Sequence, residues 1–591
     1  MLSLPDHLSL DAQTKENIQA WLEGTYDEEA KRTIQDWLKN NPESIIDAFY
    51  KKLSFGTGGL RGIMGVGSNR MNIYTVRAAT QGLSNYLLKQ FQNQEISVLI
   101  GYDSRLNSKT FAEESAKVFA GNKIKVYLFT DLRPLPVISF GCRHLKCNAA
   151  VMITASHNPP EYNGYKVFWD HGSQVLPPHD QGIIQEVDAI QDNVQIKLAE
   201  SSDPLIHLID REIDAEYLES IDILQLYREE NQNHGEDLHI IYSSLHGTGI
   251  TMVPKALGMW GFHHVNLVQS QAKPDGHFPT VKVPNPEMHA SLHLGVEQLI
   301  QTDSDLLLAT DPDCDRLGVA FKDGEEVSFL DGNTMVCLCL EHICWALQSK
   351  GISPEHPAYI KTIVTTELFK EICDHYSVAC FEVLTGFKYI AQMINEWEDN
   401  DGPYRFVFGG EESYGCLFGI HARDKDAVIA SCLISEIALR AKRQGKTLLD
   451  LTYELYEKYG VYRNQLLSIK FSESREGHQK MTKAVETLRA SPPQHLLGTR
   501  VEKIEDYFTS KSRHLITGEE NSLHLPKSNV LRFFLEDKTV IAVRPSGTEP
   551  KVKLYCGVTT EPSESIPLAI EHCDVLCSDY LQTLKSLMTN S

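Results

Sequence analysis

One short loop carries a serine and a histidine directly after an apolar run. The run AAVMI at residues 149–153 is followed by TASHNP at residues 154–159 and by a second proline at position 160. This pattern predicts a buried strand that ends in a loop at its carboxyl end. Open α/β sheets carry their ligands and reacting groups at that edge. Ser156 and His157 are therefore candidates for chemistry, although Ser and Asn are also ordinary turn residues and the pair alone is weak.

A second loop places three carboxylates at alternate positions. The apolar stretch DLLLA at residues 305–309 leads into TDPDCDR at residues 310–316. In an exposed strand such a run would form only a solvated face, but Pro312 argues against a central strand here. Three convergent carboxylates suit a hard cation, and Mg²⁺ fits them better than Zn²⁺. Asp311, Asp313 and Asp315 are thus predicted metal ligands.

Two further loops offer groups that suit a phosphorylated sugar. The segment RPSGTEPK at residues 544–551 combines a guanidinium, two hydroxyls, a glycine and an ammonium, which are the donors that a phosphate dianion requires. The segment GGEESYG at residues 409–415 offers carboxylates and a hydroxyl on a backbone that its glycines make flexible. These groups suit the binding of a polyol such as a sugar. The alternative for residues 544–551 is a plain turn, and the alternative for residues 409–415 is a solvated pair of acidic residues. TGFK at residues 385–388 and HARDKD at residues 421–426 add cations that are also compatible with ordinary surface.

Composition restricts the class of protein. The chain has 591 residues, a net charge of −23 and thirteen cysteines without a CxxC pair. The acidic balance disfavours nucleic acid and anionic membranes as partners, and an anionic substrate would need a local cationic pocket. An odd number of cysteines argues against a complete disulfide framework. The amino terminus has no basic segment followed by an apolar core, so we expect a cytoplasmic protein.

The order of predicted elements indicates an α/β fold. Strand and helix patterns alternate from residue 97 to 153 and return twice, and each α/β unit closes a strand with one polar loop. One predicted helix begins with a capping box at Thr110 to Glu113 and ends at Gly121. Beyond about residue 460 the pattern predicts a smaller α+β domain. The predicted domains are 1–210 with the serine loop, 211–325 with the aspartate loop, 326–460 with the sugar-binding loop and 461–591 with the phosphate-binding loop.

Together the loops describe phosphoryl transfer on a sugar phosphate, because a serine that carries phosphate needs a metal to become a good donor. The same loops resemble the α-D-phosphohexomutase family. Residues 154–159 resemble its phosphoserine loop, residues 311–316 its DxDxDR magnesium loop, residues 410–413 its sugar-binding loop and residues 544–550 its phosphate-binding loop. All four occur in the family's order with domain-sized spacing and cover nearly the whole chain.

The resemblance implies four domains around a central cleft: three similar α/β units and a carboxy-terminal domain that closes over the substrate. It also implies that phosphorylated Ser156, with Mg²⁺ held by Asp311, Asp313, Asp315 and the phosphoserine, gives its phosphoryl group to a sugar monophosphate. The resulting glucose 1,6-bisphosphate, which is both intermediate and activator, turns within the cleft. Ser156 then takes the other phosphoryl group back.

Further roles follow from the resemblance residue by residue. Lys166 matches a lysine proposed as acid or base, and Arg61, in the glycine-rich loop at residues 55–65, matches an arginine that stabilises transferring charge. His157 either assists by hydrogen bonding or stabilises its loop. The implied substrate-binding residues are Arg316, Gly386, Lys388, Glu411, Ser413, Arg423, Lys425, Arg544, Ser546, Gly547, Thr548 and Lys551.

The identity of the sugar is predicted from the loops at residues 385–388 and 409–426. They look more like the glucose-selective and large pentose-related branches than the shorter mannose or glucosamine branches. We therefore expect interconversion of glucose 1-phosphate and glucose 6-phosphate. Ribose, deoxyribose or mannose phosphates are the alternative substrates. A sugar-phosphate phosphatase or a bisphosphate synthase would share the loops, whereas a non-catalytic binding relative would be expected to lack Ser156 or an aspartate of the metal loop, and neither is lost here. We expect a small-molecule sugar phosphate as partner, no nucleic acid or membrane, and a monomer or small homo-oligomer.

Overall fold

The fold is described from a computed structural model. It describes residues 10–589 other than 57, 191–192, 473–474, 547–549 and 562–564. The described chain forms two compact units. The first unit comprises the described residues of Met1–Leu330, Ala391–Asp399 and Gly415–Arg440, and the second those of Asp331–Ile390, Asn400–Tyr414 and Ala441–Ser591. The four predicted domain boundaries stay a prediction.

The first α/β segment is built on a six-stranded sheet. Its elements are α1 (Ala12–Glu23), α2 (Glu28–Asn40), α3 (Pro42–Phe49), β1 (Gly59–Ile63), α4 (Ile73–Gln90), β2 (Ser97–Tyr102), α5 (Ser108–Gly121), β3 (Lys125–Phe129), α6 (Leu135–His144), β4 (Ala149–Ile153), β5 (Tyr162–Trp169), α7 (His179–Asp188) and β6 (Ile206–Ile209). The strand order is β1-β5-β4-β2-β3-β6. β4 pairs in parallel with β2 and antiparallel with β5, and every residue of β4 is buried. The prediction of a buried strand before the serine loop is confirmed.

The start of helix α5 differs from the prediction. It begins at Ser108, two residues before the predicted capping box, and its N-cap residue Asn107 makes no side-chain capping hydrogen bond. Asn107 has φ +63°, a left-handed conformation that Asn tolerates better than most residues. The chain turn, rather than a side-chain cap, therefore starts the helix. The predicted end at Gly121 is confirmed.

The second α/β segment repeats the plan on five strands. Its elements are α8 (Glu212–Asp222), α9 (Arg228–His234), β7 (Ile240–Ser243), α10 (Val253–Met259), β8 (Val265–Leu267), α11 (Gln269–Ala272), α12 (His293–Gln301), β9 (Leu306–Thr310), β10 (Leu317–Asp323) and β11 (Glu326–Leu330). The strand order is β11-β10-β9-β7-β8. β9 is fully buried and ends at Thr310, so the aspartate loop starts at its carboxyl end.

The third α/β segment and the carboxy-terminal segment follow. The third comprises α13 (Gly332–Ser349), β12 (Pro357–Thr362), α14 (Leu368–His375), β13 (Ala379–Val383), α15 (Phe387–Asp399), β14 (Arg405–Glu411), β15 (Gly415–Phe418), α16 (Ala427–Arg443) and α17 (Leu448–Tyr459). The last comprises β16 (Val461–Lys470), α18 (Arg475–Ala490), β17 (His495–Leu496), β18 (Thr499–Asp506), β19 (Lys511–His514), β20 (Glu520–Ser522), β21 (Leu531–Leu535), β22 (Val540–Pro545), β23 (Lys551–Thr560) and α19 (Ile566–Thr589). β12 pairs in parallel with both β13 and β14. The carboxy-terminal sheet is antiparallel, which confirms the change from α/β to α+β.

The thirteen cysteines are free thiols, and Cys337 and Cys339 are buried. In the described part of the chain, no helix combines the length and apolar character that crossing a membrane requires.

Candidate active site

The serine loop is held in an unusual backbone conformation. Ser156 has φ +49°, in the left-handed region that non-glycine residues rarely adopt. Its backbone N–H donates to the hydroxyl of Thr154 at 2.8 Å. Ser156 is only 3% exposed, so its hydroxyl faces protein groups rather than bulk water. The loop therefore aims one hydroxyl in a fixed direction.

That hydroxyl points at the aspartate loop. Ser156 Oγ donates to Asp311 Oδ2 at 2.7 Å, although 155 residues separate the two along the chain. Thr154 Oγ1 donates to Asp313 Oδ2 at 3.2 Å. The loops that end strands β4 and β9 thus meet through two side-chain hydrogen bonds.

The three aspartates have the arrangement of a cation site. One carboxylate oxygen from each of Asp311, Asp313 and Asp315 lies within 4.8 Å of the others, and all three residues are buried. Among the described residues, Asp313 Oδ1 and Asp315 Oδ1 are buried and accept no hydrogen bond. Buried carboxylate oxygens without donors are costly unless a cation binds them. An all-oxygen set of this kind suits a hard divalent ion such as Mg²⁺.

Burial and neighbouring charges shift the pKa values of the triad. Burial, followed by the negative charges of Asp313 and Asp315, raises the pKa of Asp311 well above its ordinary value. Burial also acts to raise the pKa of Asp315, but Lys425 and Lys166 outweigh it and lower that pKa. One carboxyl of the set therefore holds a proton more tightly than a free aspartate when no cation is bound.

Two lysines with little solvent exposure, Lys166 and Lys425, offset negative charge of the aspartates. Lys166 Nζ lies 2.8 Å from Asp313 Oδ2 and 3.6 Å from Asp315 Oδ2. Lys425 Nζ lies 3.1 Å from Asp315 Oδ2 and 2.9 Å from Asp424 Oδ1. Burial acts to lower the pKa of Lys166, but Asp313 and Asp315 outweigh it, so the pKa is raised and the side chain is an ammonium. Both predicted lysines thus reach the aspartate cluster.

Arg105 organises the serine loop and was missed from the sequence. Its guanidinium donates to the backbone carbonyls of Ser156 at 2.5 Å, Pro159 at 2.8 Å and Tyr162 at 3.0 Å, and also to that of Asn158. The Arg105 side chain is fully buried, and its Nε lies 3.5 Å from Asp103 Oδ2. Its position in YDSR, directly after strand β2, was the available clue, because β2 is the neighbour of β4 in the sheet.

The aspartate loop is braced by the loop SSLHGTG at residues 243–249. Thr248 donates to the carbonyl of Pro312 from both its backbone N–H and its hydroxyl, each at 2.9 Å. A Cβ at Gly247 would lie 2.4 Å from the Cα of Pro312, so only glycine permits this approach. From the first segment, Leu135 N–H donates to the carbonyl of Asp313 at 2.9 Å. These contacts fix the loop before any ligand arrives.

Three predicted residues lie around the serine loop. Arg61 Nη1 donates to Asn158 Oδ1 at 3.0 Å, and Arg316 is ion-paired with Glu287. His157 Nδ1 lies 3.2 Å from Ser156 Oγ. Burial, followed by the charges of Arg316 and Arg61, lowers the pKa of His157 well below its ordinary value, so the ring is neutral. A neutral ring can hydrogen-bond the hydroxyl without adding charge.

The predicted sugar-binding loops lie in the second compact unit. Gly386 has φ +118°, and its N–H donates to Glu411 Oε1 at 3.0 Å. Glu411 is buried at the end of strand β14, and Ser413 follows in the next turn. Lys388 Nζ lies 5.3 Å from the ring centroid of Tyr389. The loops at residues 385–388 and 411–413 are therefore neighbours.

The predicted phosphate-binding segment begins at the end of strand β22. Arg544 lies in that strand, and Ser546 N–H donates to the carbonyl of Lys551 at 2.7 Å. Gly547 and Thr548 lie outside the described residues. Burial, then the charge of Glu412, raises the pKa of Tyr555, while a hydrogen bond and the charge of Arg544 oppose the rise. Tyr555 is thus close enough to both Arg544 and Glu412 to interact with their charges.

The guanidinium of Arg423 contacts helix α15 and its own loop. Its guanidinium donates to the carbonyls of Ile420 at 2.7 Å and Ala422 at 2.8 Å, and to Asn395 Oδ1 at 2.9 Å, and it is ion-paired with Glu398. Its side chain is fully buried. Arg423 therefore ties the loop at residues 420–423 to helix α15, whereas its neighbour Lys425 reaches the aspartates.

Models of protein-family domains match most of the chain. Sequence models of phosphoglucomutase/phosphomannomutase match in order: alpha/beta/alpha domain I at residues 52–194, domain II at 215–324, domain III at 331–459 and the C-terminal domain at 479–564. A phosphoglucomutase of Staphylococcus aureus strain USA300 is 36% identical over 535 residues, which is 88% of this chain and 94% of that protein.

Solved structures share the fold. The open form of pp63/parafusin, a phosphoglucomutase from Paramecium, aligns with a TM-score of 0.66 at 16% identity, covering 92% of this chain and 96% of that chain. A phosphoglucomutase/phosphomannomutase family protein from Burkholderia thailandensis aligns with a TM-score of 0.63 at 18% identity, covering 91% of this chain and 98% of that chain.

Proposed function

This chain belongs to the phosphoglucomutase/phosphomannomutase family, and from that premise we propose that it interconverts glucose 1-phosphate and glucose 6-phosphate through phosphorylated Ser156. The observation that carries the proposal is the 2.7 Å hydrogen bond from Ser156 Oγ to Asp311, within a cluster of three buried aspartates. The Staphylococcus aureus phosphoglucomutase, 36% identical over 88% of this chain, supports glucose phosphates as substrate.

In the proposed reaction the free hydroxyl of the sugar monophosphate attacks the phosphorus of phosphorylated Ser156. The new O–P bond forms as the Ser156 Oγ–P bond breaks, the hydroxyl proton leaves to a base, and Ser156 Oγ takes up a proton. Glucose 1,6-bisphosphate is the product of this half-reaction. After it turns, Ser156 Oγ gives up its proton and attacks the phosphorus of the other phosphoryl group. The sugar O–P bond breaks, the released sugar oxygen takes up a proton, and the isomeric monophosphate leaves the phosphorylated enzyme.

The residues around Ser156 would divide the work. Asp311, Asp313 and Asp315 would hold Mg²⁺, which supplies positive charge that stabilises the phosphoryl oxygens. Lys166, held as an ammonium beside Asp313, is the proposed proton donor to Ser156 Oγ. Arg105 keeps the serine loop in its productive conformation, so little reorganisation is needed during transfer.

The second compact unit would hold the sugar. Glu411 and Ser413 are proposed to bind sugar hydroxyls in either orientation, with Gly386 and Lys388 beside them. Arg544, Ser546, Gly547, Thr548 and Lys551 are proposed to bind whichever phosphate is not reacting. A guanidinium beside hydroxyls recognises a phosphate without distinguishing which sugar carbon carries it.

The test is direct. We expect mass spectrometry of the purified protein to find phosphate on Ser156, and we expect turnover to need Mg²⁺ and to rise with catalytic glucose 1,6-bisphosphate. Rates on glucose, mannose and ribose 1-phosphates should be highest with glucose. No phosphoserine and no response to the bisphosphate would overturn the mutase proposal, and a preference for ribose 1-phosphate would reassign the substrate to a pentose phosphate.

A further inference from the structure

Two buried cations share two carboxylates in the second compact unit. Lys361 Nζ lies 2.7 Å from Glu382 Oε1 and 3.0 Å from Glu367 Oε1. Arg532 contacts the same two residues, with Nη1 3.3 Å from Glu382 Oε2 and Nη2 3.2 Å from Glu367 Oε1. The side chains of Lys361 and Arg532 are 0% and 2% exposed, whereas those of Glu367 and Glu382 are 32% and 34% exposed, so solvent reaches these pairs from the carboxylate side.

A third carboxylate completes the set. Arg532 Nη1 lies 3.2 Å from Glu505 Oε2, and Lys503 Nζ lies 2.9 Å from Glu505 Oε1. The hydroxyl of Tyr507 also donates to Glu505 Oε2, at 2.7 Å. Three cations thus face three carboxylates, and the formal charge of this ion network of Lys361, Glu367, Glu382, Lys503, Glu505 and Arg532 is zero.

The ion network joins two sheets close to their functional ends. Lys361 is in β12, opposite Glu382 in β13 and opposite Gly410 in β14, one residue before Glu411. Arg532 is in β21, opposite Ala542 in β22, two residues before Arg544. The shared carboxylates therefore connect the strand that leads to the sugar-binding loop with the strand that leads to the phosphate-binding segment.

An apolar cluster lies across the same junction. Ile363, Val364 and Leu384 of the third segment pack with buried residues of the carboxy-terminal segment, namely Tyr507, Val530, Ala542 and Tyr555. Apolar packing supplies attraction without direction, whereas ion pairs with several hydrogen bonds constrain geometry. The charged residues are therefore the part of the junction that can set an alignment.

We propose that Arg532 and Lys361 are positioning residues: through Glu367 and Glu382 they fix Arg544 relative to Glu411, and so fix the distance between the phosphate-binding and sugar-binding parts of the substrate site. This rests on the proposed function, because it assigns both parts to one sugar phosphate.

The test measures the dissociation constant of glucose 6-phosphate by isothermal titration calorimetry, in a Ser156→Ala background so that no turnover occurs. We expect Arg532→Met to weaken binding about tenfold, because the two ends of the ligand no longer meet aligned partners. Arg532→Lys, which keeps the charge, should recover part of the loss. Arg489→Met is the matched control, because Arg489 pairs with Asp506 and Asn529 inside the carboxy-terminal segment alone.

Thermal unfolding separates positioning from stability. If Arg532→Met and Arg489→Met lower the unfolding temperature alike and neither changes the dissociation constant, the ion network is only structural and the proposal is overturned. Glu367→Gln is a milder variant, because the Glu367 side chain is 32% exposed. If Arg532→Met does not fold, this variant decides alone: weaker binding supports the proposal and unchanged binding overturns it.

Turnover of the same substitutions with Ser156 intact separates this proposal from the proposed function. An enzyme with native Arg532 that binds glucose 6-phosphate without converting it contradicts the mutase reaction but leaves the positioning role supported if Arg532→Met still weakens binding. Normal turnover together with unchanged binding in Arg532→Met contradicts only the positioning role. A protein that neither binds nor converts the sugar phosphate contradicts both.

Discussion

Ser156 Oγ donates a hydrogen bond to Asp311 Oδ2 at 2.7 Å, across 155 residues of chain. This contact joins the carboxyl ends of two strands that belong to different sheets. It brings the proposed phosphate carrier to the edge of the proposed metal site. The predictions below test what that arrangement does.

Replacing Ser156 by alanine removes the only proposed phosphate carrier and leaves the proposed sugar-binding and phosphate-binding residues unchanged. We expect Ser156→Ala to lower kcat by at least about 10⁴-fold, as loss of a nucleophile does in other covalent mechanisms. Glucose 6-phosphate should still bind, as measured by calorimetry. Turnover within a few-fold of the native enzyme would show that phosphate travels by another route.

Metal binding to the dephosphorylated enzyme should release protons. Because burial and the neighbouring aspartates raise the pKa of Asp311, a cation that binds the protonated aspartate cluster must displace a proton. We expect Mg²⁺ affinity to fall as the pH is lowered, because protonated Asp311 cannot ligate. Calorimetry in buffers of different ionisation enthalpy counts the protons, and Asp311→Asn should abolish the release. An affinity independent of pH would contradict this assignment.

Arg105→Lys should damage catalysis more than folding. Lysine has three donors and no planar fork, so it cannot hold all four carbonyls of the serine loop. We expect kcat to fall about 100-fold, the cost of a small misplacement of a reacting group, with a smaller change in KM. Arg77→Lys is the control, because Arg77 pairs with Glu114 away from the loop. Equal losses in both variants would mean that Arg105 is merely structural.

Arg423→Met should affect stability and leave substrate binding nearly unchanged. The substitution leaves Glu398 without its buried partner and leaves two backbone carbonyls without their donor. We expect the free energy of unfolding to fall by about 2 kcal/mol, measured by urea denaturation. A large increase in KM with unchanged stability would instead support the substrate-binding role of Arg423 that the family resemblance implies.

His171 should stabilise the first unit at neutral pH and lose that effect in alkali. A hydrogen bond to Asp170 raises the pKa of His171 to about 9, against burial and with help from Asp399. A raised pKa in the folded state gives stability that is complete below the unfolded value near 6.5 and disappears as the pH rises through 9. The His171→Gln variant should be less stable than the native chain by about 0.5–1 kcal/mol at neutral pH. Urea unfolding should show that this difference in stability disappears as the pH rises through about 9. A difference that does not change with pH would contradict the prediction.

The amino-acid sequence by itself determined the strand ends and the residue types placed there. Each loop is encoded within a few residues: an apolar run followed by TASHNP, or by TDPDCDR, sets the strand and its polar end locally. The order of these loops was sufficient to indicate the family and the reaction class. The alternation of strands and helices likewise determined the α/β architecture, because it reflects local periodicity.

Only the tertiary structure decided which distant residues meet. The position of Arg105 after strand β2 indicates only that it lies near the edge of the sheet, and the tertiary structure shows that its guanidinium binds the carbonyls of Ser156 and Pro159, more than 50 residues away. Arg423 and Lys425 stand two residues apart with similar charge, yet one binds helix α15 and the other binds Asp315. A side chain's partner depends on the direction in which the backbone presents it and on the charges already buried there. Those are properties of packed elements from different parts of the chain, whereas local pattern fixes only what each element can offer.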